Sequence, residues 1–143
     1  MLEQGTISIH TENIFPIHTL TGHNDWVNAV ALSSDGQYVV SGSFDNTIKI
    51  WELATAKEIH TLTGHNHSVY AVALSSDGQY VVSGSDDNTI KIWELATAKE
   101  RVTFIGEGSI SCCAIAPDNT TIIAGDSLGK VHFLRLENIE VQP

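Results

Sequence analysis

Two sets of side chains could form a hydrolytic relay: His23, Ser41 and Asp45, then His65, Ser83 and Asp87, with identical internal offsets. An imidazole oriented by a carboxylate can take the proton of a serine hydroxyl and make it a nucleophile. Two features weigh against that chemistry. The set occurs twice, whereas an active site needs one, and no Gly-x-Ser-x-Gly elbow exposes either hydroxyl. A tryptophan follows each set at a fixed distance, Trp51 and Trp93, and Ser43 and Ser85 stand close enough to be alternatives for the serine.

Metal and cofactor chemistry finds less support. Seven histidines are present, and His65-Asn66-His67 is the densest pair, but no carboxylate or cysteine lies at a recognisable ligand spacing. His18 and His60 occupy copies of one position. Cys112 and Cys113 are adjacent, so on a strand they point to opposite faces and suit neither one disulfide nor one metal. At least one of them is expected to be a small core residue. Ser41-Gly42-Ser43 belongs to a hairpin and does not open a helix, so it is no phosphate loop. No metal and no cofactor are expected.

These residues sit in a chain of 143 residues, 42% apolar and 17% charged, with 17 acidic and 7 basic side chains for a formal net charge of −10. Such a surface repels phosphate backbones and anionic membranes, so neither nucleic acid nor membrane is an expected partner. No apolar run approaches the ~20 residues of a membrane span. The start, Met1-Leu2-Glu3-Gln4, has no basic and apolar leader pattern, and the expectation is a cytoplasmic, soluble protein. Short apolar runs bounded by Gly, Asp, Asn and Ser point to many short strands.

The strands repeat. Residues 18–59 and 60–101 match at 37 of 42 positions. Within the first copy, Trp26–Leu32, Gln37–Gly42 and Thr47–Trp51 read as strands, and Lys57–Leu62 as an outer strand that follows. Ser33-Ser34-Asp35-Gly36 and Ser43-Phe44-Asp45-Asn46 close the hairpins with residues that tolerate positive φ. Residues 102–143 form a third, degenerate copy, and residues 1–17 read as partial strands: Thr6–His10 matches Thr47–Trp51, and Phe15–Leu20 matches the outer strand.

A period of 40–45 residues with Gly-His early (Gly22-His23, Gly64-His65) and Trp-acidic late (Trp51-Glu52, Trp93-Glu94) resembles the WD-repeat β-propeller family over nearly the whole chain. Glu stands where the family name has Asp. The resemblance implies an all-β fold of about three four-stranded antiparallel blades, an incomplete ring per chain, and a non-catalytic scaffold for protein partners. It also implies a structural tetrad in each full copy, His23, Ser41, Asp45 and Trp51, then His65, Ser83, Asp87 and Trp93, joined as a buried hydrogen-bond chain. A serine in mid-strand between blades has no room for substrate, which further disfavours hydrolysis. The third copy has lost these markers: Glu107, Ala124, Leu128 and Leu134 stand in their places. It is similar to the last blade of WD arrays in bacterial signal-transduction ATPases, and a regulatory fragment of such an ATPase or kinase is the alternative reading.

The copies differ at five positions: Asp25/His67, Trp26/Ser68, Asn28/Tyr70, Phe44/Asp86 and Ile59/Arg101. In the WD family the first four surround the narrow top of the propeller, where partners dock, and Trp26, Phe44 and Tyr70 are the residue types favoured as anchors. Asp25, Trp26, Asn28, Phe44, His67, Ser68, Tyr70 and Asp86 are therefore the candidate partner-binding residues. Drift at exposed sites would leave the same pattern.

A propeller typically has 4–8 blades, and three cannot close. Two bare blade faces of about 300 Å² each would remain. Either two chains close a ring of about six blades, the N-terminal strands of one completing the last blade of the other, or the chain is part of a longer array. The homo-oligomer is the favoured expectation.

Overall fold

Each full copy puts a residue that tolerates left-handed backbone where its hairpin turns. In the computed structural model, which describes residues 11–137, Gly36 has φ 74° and Asn46 has φ 73°. The Asp35 carboxylate accepts from the Ser33 hydroxyl at 2.6 Å and the Gln37 amide at 3.0 Å, closing the first turn from inside. Strands β1 (Val27–Leu32), β2 (Tyr38–Ser43), β3 (Ile48–Glu52) and β4 (Lys57–Leu62) form one antiparallel sheet in sequence order. The second copy repeats it with β5 (Val69–Leu74), β6 (Tyr80–Ser85), β7 (Thr89–Glu94) and β8 (Lys99–Ile105). The third sheet has three strands among the described residues: β9 (Ile110–Ile115), β10 (Thr121–Asp126) and β11 (Val131–Arg135).

The sheets stack as blades, β5 on β1 and β2, then β9 on β5 and β6. A separate core fills each junction. Val40, Ile48, Ile50 and Leu62 of the first blade meet Val69, Val72, Val81 and Trp93 of the second. Val82, Ile90 and Ile92 of the second then meet Ile110, Ile122 and Ala124 of the third. Strands covered on both faces are the reason the sequence is rich in Val and Ile there rather than alternating. Glycine lets the blades approach. A Cβ at Gly42 would lie 2.7 Å from a Val69 methyl, and one at Gly84 would overlap the Ile110 side chain.

Among the described residues no strand covers the outer faces of the stack. Val27 and Val30 are 51% and 68% exposed, whereas their copies Val69 and Val72, which have a neighbour, are 0% and 8%. Phe15–Leu20, expected as an outer strand, is not in a ladder with any described residue. A strand is completed by its partner, and no described strand lies beside it. Thr6–His10 lies outside the described residues.

Candidate functional site

In each full blade the histidine before the inner strand reaches the β2–β3 or β6–β7 hairpin. His65 Nδ1 lies 2.9 Å from Asp87 Oδ2, His65 Nε2 lies 2.6 Å from Ser83 Oγ, and Trp93 Nε1 donates to the same oxygen at 2.8 Å. The first blade has the same contacts: His23 to Asp45 at 2.9 Å, His23 to Ser41 at 2.7 Å, Trp51 to Ser41 at 2.9 Å. One proton arrangement satisfies every group. The indole N–H donates to the hydroxyl, the hydroxyl donates to Nε2, and Nδ1–H donates to the carboxylate. Ser43 and Ser85 take another task, receiving the Asp45 and Asp87 amides at 3.0 and 3.1 Å inside the turn.

The electrostatics fit a neutral imidazole. Burial pulls the His65 pKa down, against the pull of Asp87. For Asp87 burial opposes the charge, but the Thr89 hydroxyl, His65 and the Asn66 amide outweigh it and hold the carboxyl at about 2. Asp45 is likewise lowered, burial being outweighed by Thr47, Asn24 and His23. Sequence reasoning missed the threonines. Thr47 and Thr89 donate to the carboxylates at 2.5 Å, and their place two residues after the aspartate in both copies was the available signal.

This geometry cannot present a nucleophile. Ser83 is fully buried and Ser41 nearly so, and each hydroxyl is committed to an indole and an imidazole. Among the described residues no buried side-chain nitrogen or oxygen lacks a hydrogen-bond partner, and no three His, Cys, Asp or Glu converge as metal ligands. Burial pushes the Cys113 thiol up to about 12, so it stays protonated against the second junction, while Cys112 is exposed.

The third blade holds its hairpin by other means. Asp126 faces Ile110 as Ser85 faces Val69. Its Oδ1 accepts from the Leu128 and Lys130 amides at 2.9 Å, and His132 Nε2 lies 2.9 Å from its Oδ2. Glu107 is exposed near Lys130, Ala124 is buried, Leu128 is exposed, and Leu134 packs on the second core. The pair went unseen in the sequence because both residues fall outside the repeat's marker positions.

Four of the five positions at which the copies differ lie around the loops that enter the inner strands and the adjoining hairpin turns. Trp26 is 73% exposed and stacks on Phe44, with ring centroids 5.5 Å apart and planes at 14°. Phe44 in turn meets Tyr70 of the next blade edge-on at 6.1 Å. Three aromatic rings thus run across the first junction. Asp25, His67 and Asp86 are exposed, and Ser68 is half-buried. Asp86 Oδ1 accepts from Ser109 of the third blade at 2.5 Å, and exposed Asn28 donates across the junction to the Val69 carbonyl at 3.0 Å. Ile59 and Arg101 sit apart on the outer strands, Arg101 over the Tyr80 ring at 5.2 Å.

The sequence matches the family described as WD domain, G-beta repeat, over residues 14–52, 56–94 and 98–133. Among curated relatives, the small ribosomal subunit protein RACK1 of Caenorhabditis elegans is 53% identical over 38 residues, 27% of this chain and 12% of that protein. Ribosome assembly protein 4 of Saccharomyces cerevisiae is 60% identical over 37 residues, 26% of this chain and 7% of that protein. The cross-pathway control WD-repeat protein 2 of Flammulina velutipes is 49% identical over 41 residues, 29% of this chain and 13% of that protein. Each match therefore spans about one blade, a small part of a much longer relative.

Proposed function

Because the chain belongs to the WD-domain, G-beta-repeat family, we propose that it is a non-catalytic scaffold that binds protein partners through the aromatic patch of Trp26, Phe44 and Tyr70. One observation carries this reading: a tryptophan with 73% of its surface in solvent, stacked on a second ring beside a third. Exposed aromatic clusters supply large contact area with few rotamers to freeze, which is why they recur as interface anchors. Asp25, Asn28, His67, Ser68 and Asp86 form the polar rim. The names of the relatives, a ribosomal subunit protein and a ribosome assembly factor, fit a module whose work is assembly. The buried serines support the non-catalytic part, and a cytoplasmic setting accords with it. No helix among the described residues is long and apolar enough to cross a membrane.

The test is the double variant Trp26→Ser, Phe44→Ser. Its melting temperature should stay within about 2 °C of wild type, since these rings leave no cavity in a junction core. Affinity capture from the native cell should lose the partners that wild type retains. A drop of ten degrees or more, or unchanged capture, would overturn the proposal.

A further inference from the structure

Positive charge is absent from one end of the first two blades. All seven lysines and arginines fall on β3, β4, β7 and β8 or in the third blade. Residues 21–47 and 63–89, which hold the loops entering β1 and β5 and the hairpins beside them, contain none. That end instead carries Asp25 and Asp86, both exposed, and Asp45 and Asp87, both ionised within their tetrads. Lys49 and Lys91, which begin the stretches that do carry cations, bind Glu58 and Glu100. Lys130, in the corresponding hairpin of the third blade, lies 3.4 Å from the Glu107 carboxylate.

The three rings stand among these carboxylates. Phe44 covers one face of the Trp26 indole, and Trp26 remains 73% exposed, so its other face is open. Asp25 is fixed beside that indole, its Oδ1 accepting from the Trp26 amide at 2.8 Å. Phe44 meets Tyr70 edge-on, and Asp86 stands at the same end of β5 as Tyr70, because it follows Ser85, the partner of Val69. Position 44 is a ring and its copy, position 86, a carboxylate, so neighbouring blades supply a π face and a charge from one site of the repeat. Rings alone would suit an apolar segment, and carboxylates alone any counterion. Together, where the fold places no cation of its own, they suit an ammonium or guanidinium group on an apolar stem, and the indole is the ring that attracts such a cation best. Anionic ligands are repelled from the same surface.

We propose that the docked partner presents a basic segment, one lysine or arginine side chain lying on the open face of Trp26 beside Asp25 and a further one facing Asp86. This rests on the reading that the aromatic patch is the docking surface, and it names the chemistry that surface selects. The rings give the contact its area, and the carboxylates decide the sign of what enters.

Fluorescence anisotropy on the full chain tests the proposal with three short labelled peptides, alike except that the two positions flanking a leucine carry arginine, glutamine or glutamate. The arginine peptide should bind about tenfold tighter than the glutamine peptide, and the glutamate peptide should not bind. Raising sodium chloride from about 0.05 to 0.3 M should weaken the arginine complex by about threefold. Trp26→Leu, and separately the pair Asp25→Asn, Asp86→Asn, should each weaken it by about fivefold with melting unchanged. The pair Glu52→Gln, Glu94→Gln removes the same charge at the opposite ends of β3 and β7 and should leave it within about twofold. An arginine peptide that binds no better than the glutamine one, or equal losses in the two charge pairs, would overturn the basic segment while the aromatic patch stands as a docking surface. Absence of binding by all three peptides would overturn it as well. Indifference of the arginine complex to Trp26→Leu, together with unchanged capture of native partners by Trp26→Ser, Phe44→Ser, would remove both.

Discussion

His65 is held between a carboxylate that wants its proton and a hydroxyl that offers one, and its neutrality keeps both bonds. The consequence is a pH dependence with a definite sign. The His65 pKa is lowered by burial, so the unfolded chain binds the proton more readily. Stability from this group is complete above the unfolded value near 6.5 and declines as pH falls below it. Asp87, lowered to about 2, adds stability that is complete above its unfolded value of 3.8 and is lost as pH falls towards 2. A depression of that size corresponds to about 2 kcal/mol. Urea melts between pH 8 and 3 should therefore show a shallow loss below 6.5 and a steeper one below 4. His65→Ala, which strands Ser83 and Asp87, should cost about 1–3 kcal/mol at pH 7.5 and abolish the shallow phase. An unchanged profile in that variant would place the titration elsewhere.

At the scale of elements, the turns separate what the sequence reveals from what it hides. Gly36 and Asn46 announce their positive φ by residue type, and the hairpins fall where Asp-Gly and Asp-Asn stand. Ala56 and Ala98 do not: both adopt φ 59° at the turn before an outer strand, a conformation alanine enters at a cost of about 1–2 kcal/mol. Ala56→Gly should accordingly raise the melting temperature by about 1–3 °C, and Gly36→Ala should lower it by a similar amount. A Cβ at Gly36 meets nothing, so the second change isolates the backbone. Opposite signs in calorimetry are the expected result, and equal signs would contradict it. Strand identity was legible in the same uneven way. Identical residues form β4 at His60-Thr61-Leu62 and no strand at His18-Thr19-Leu20, because a ladder is a property of two segments and a sequence shows one. The aromatic patch was visible only as differences between copies; that Phe44 bridges Trp26 and Tyr70 needed the blade-to-blade geometry. Asp126 and His132 stayed hidden because the third copy solves its hairpin locally, with residues the repeat does not mark.

For the whole molecule, charge and apolar surface act in opposite directions on assembly. The chain carries a formal charge of −10, so two copies brought together repel one another. The apolar residues exposed at the two ends of the stack are Val27, Val30 and Leu32 at one and Val131 and Phe133 at the other, and the same blades carry the Lys49–Glu58 and Arg135–Glu137 ion pairs. Salt screens the net repulsion between copies. The Debye length falls from about 30 Å at 0.01 M to about 10 Å at 0.1 M, so most of the relief comes over that interval. The dissociation constant of any self-association followed by sedimentation equilibrium should therefore fall by roughly tenfold between 0.01 and 0.3 M sodium chloride, then change little. An interface built on opposite charges would show the reverse slope. That slope is the useful discriminator: an apolar contact between like-charged copies gives tighter association with added salt, and a contact of the acidic loops around Asp25 and Asp86 with a basic surface would give weaker association.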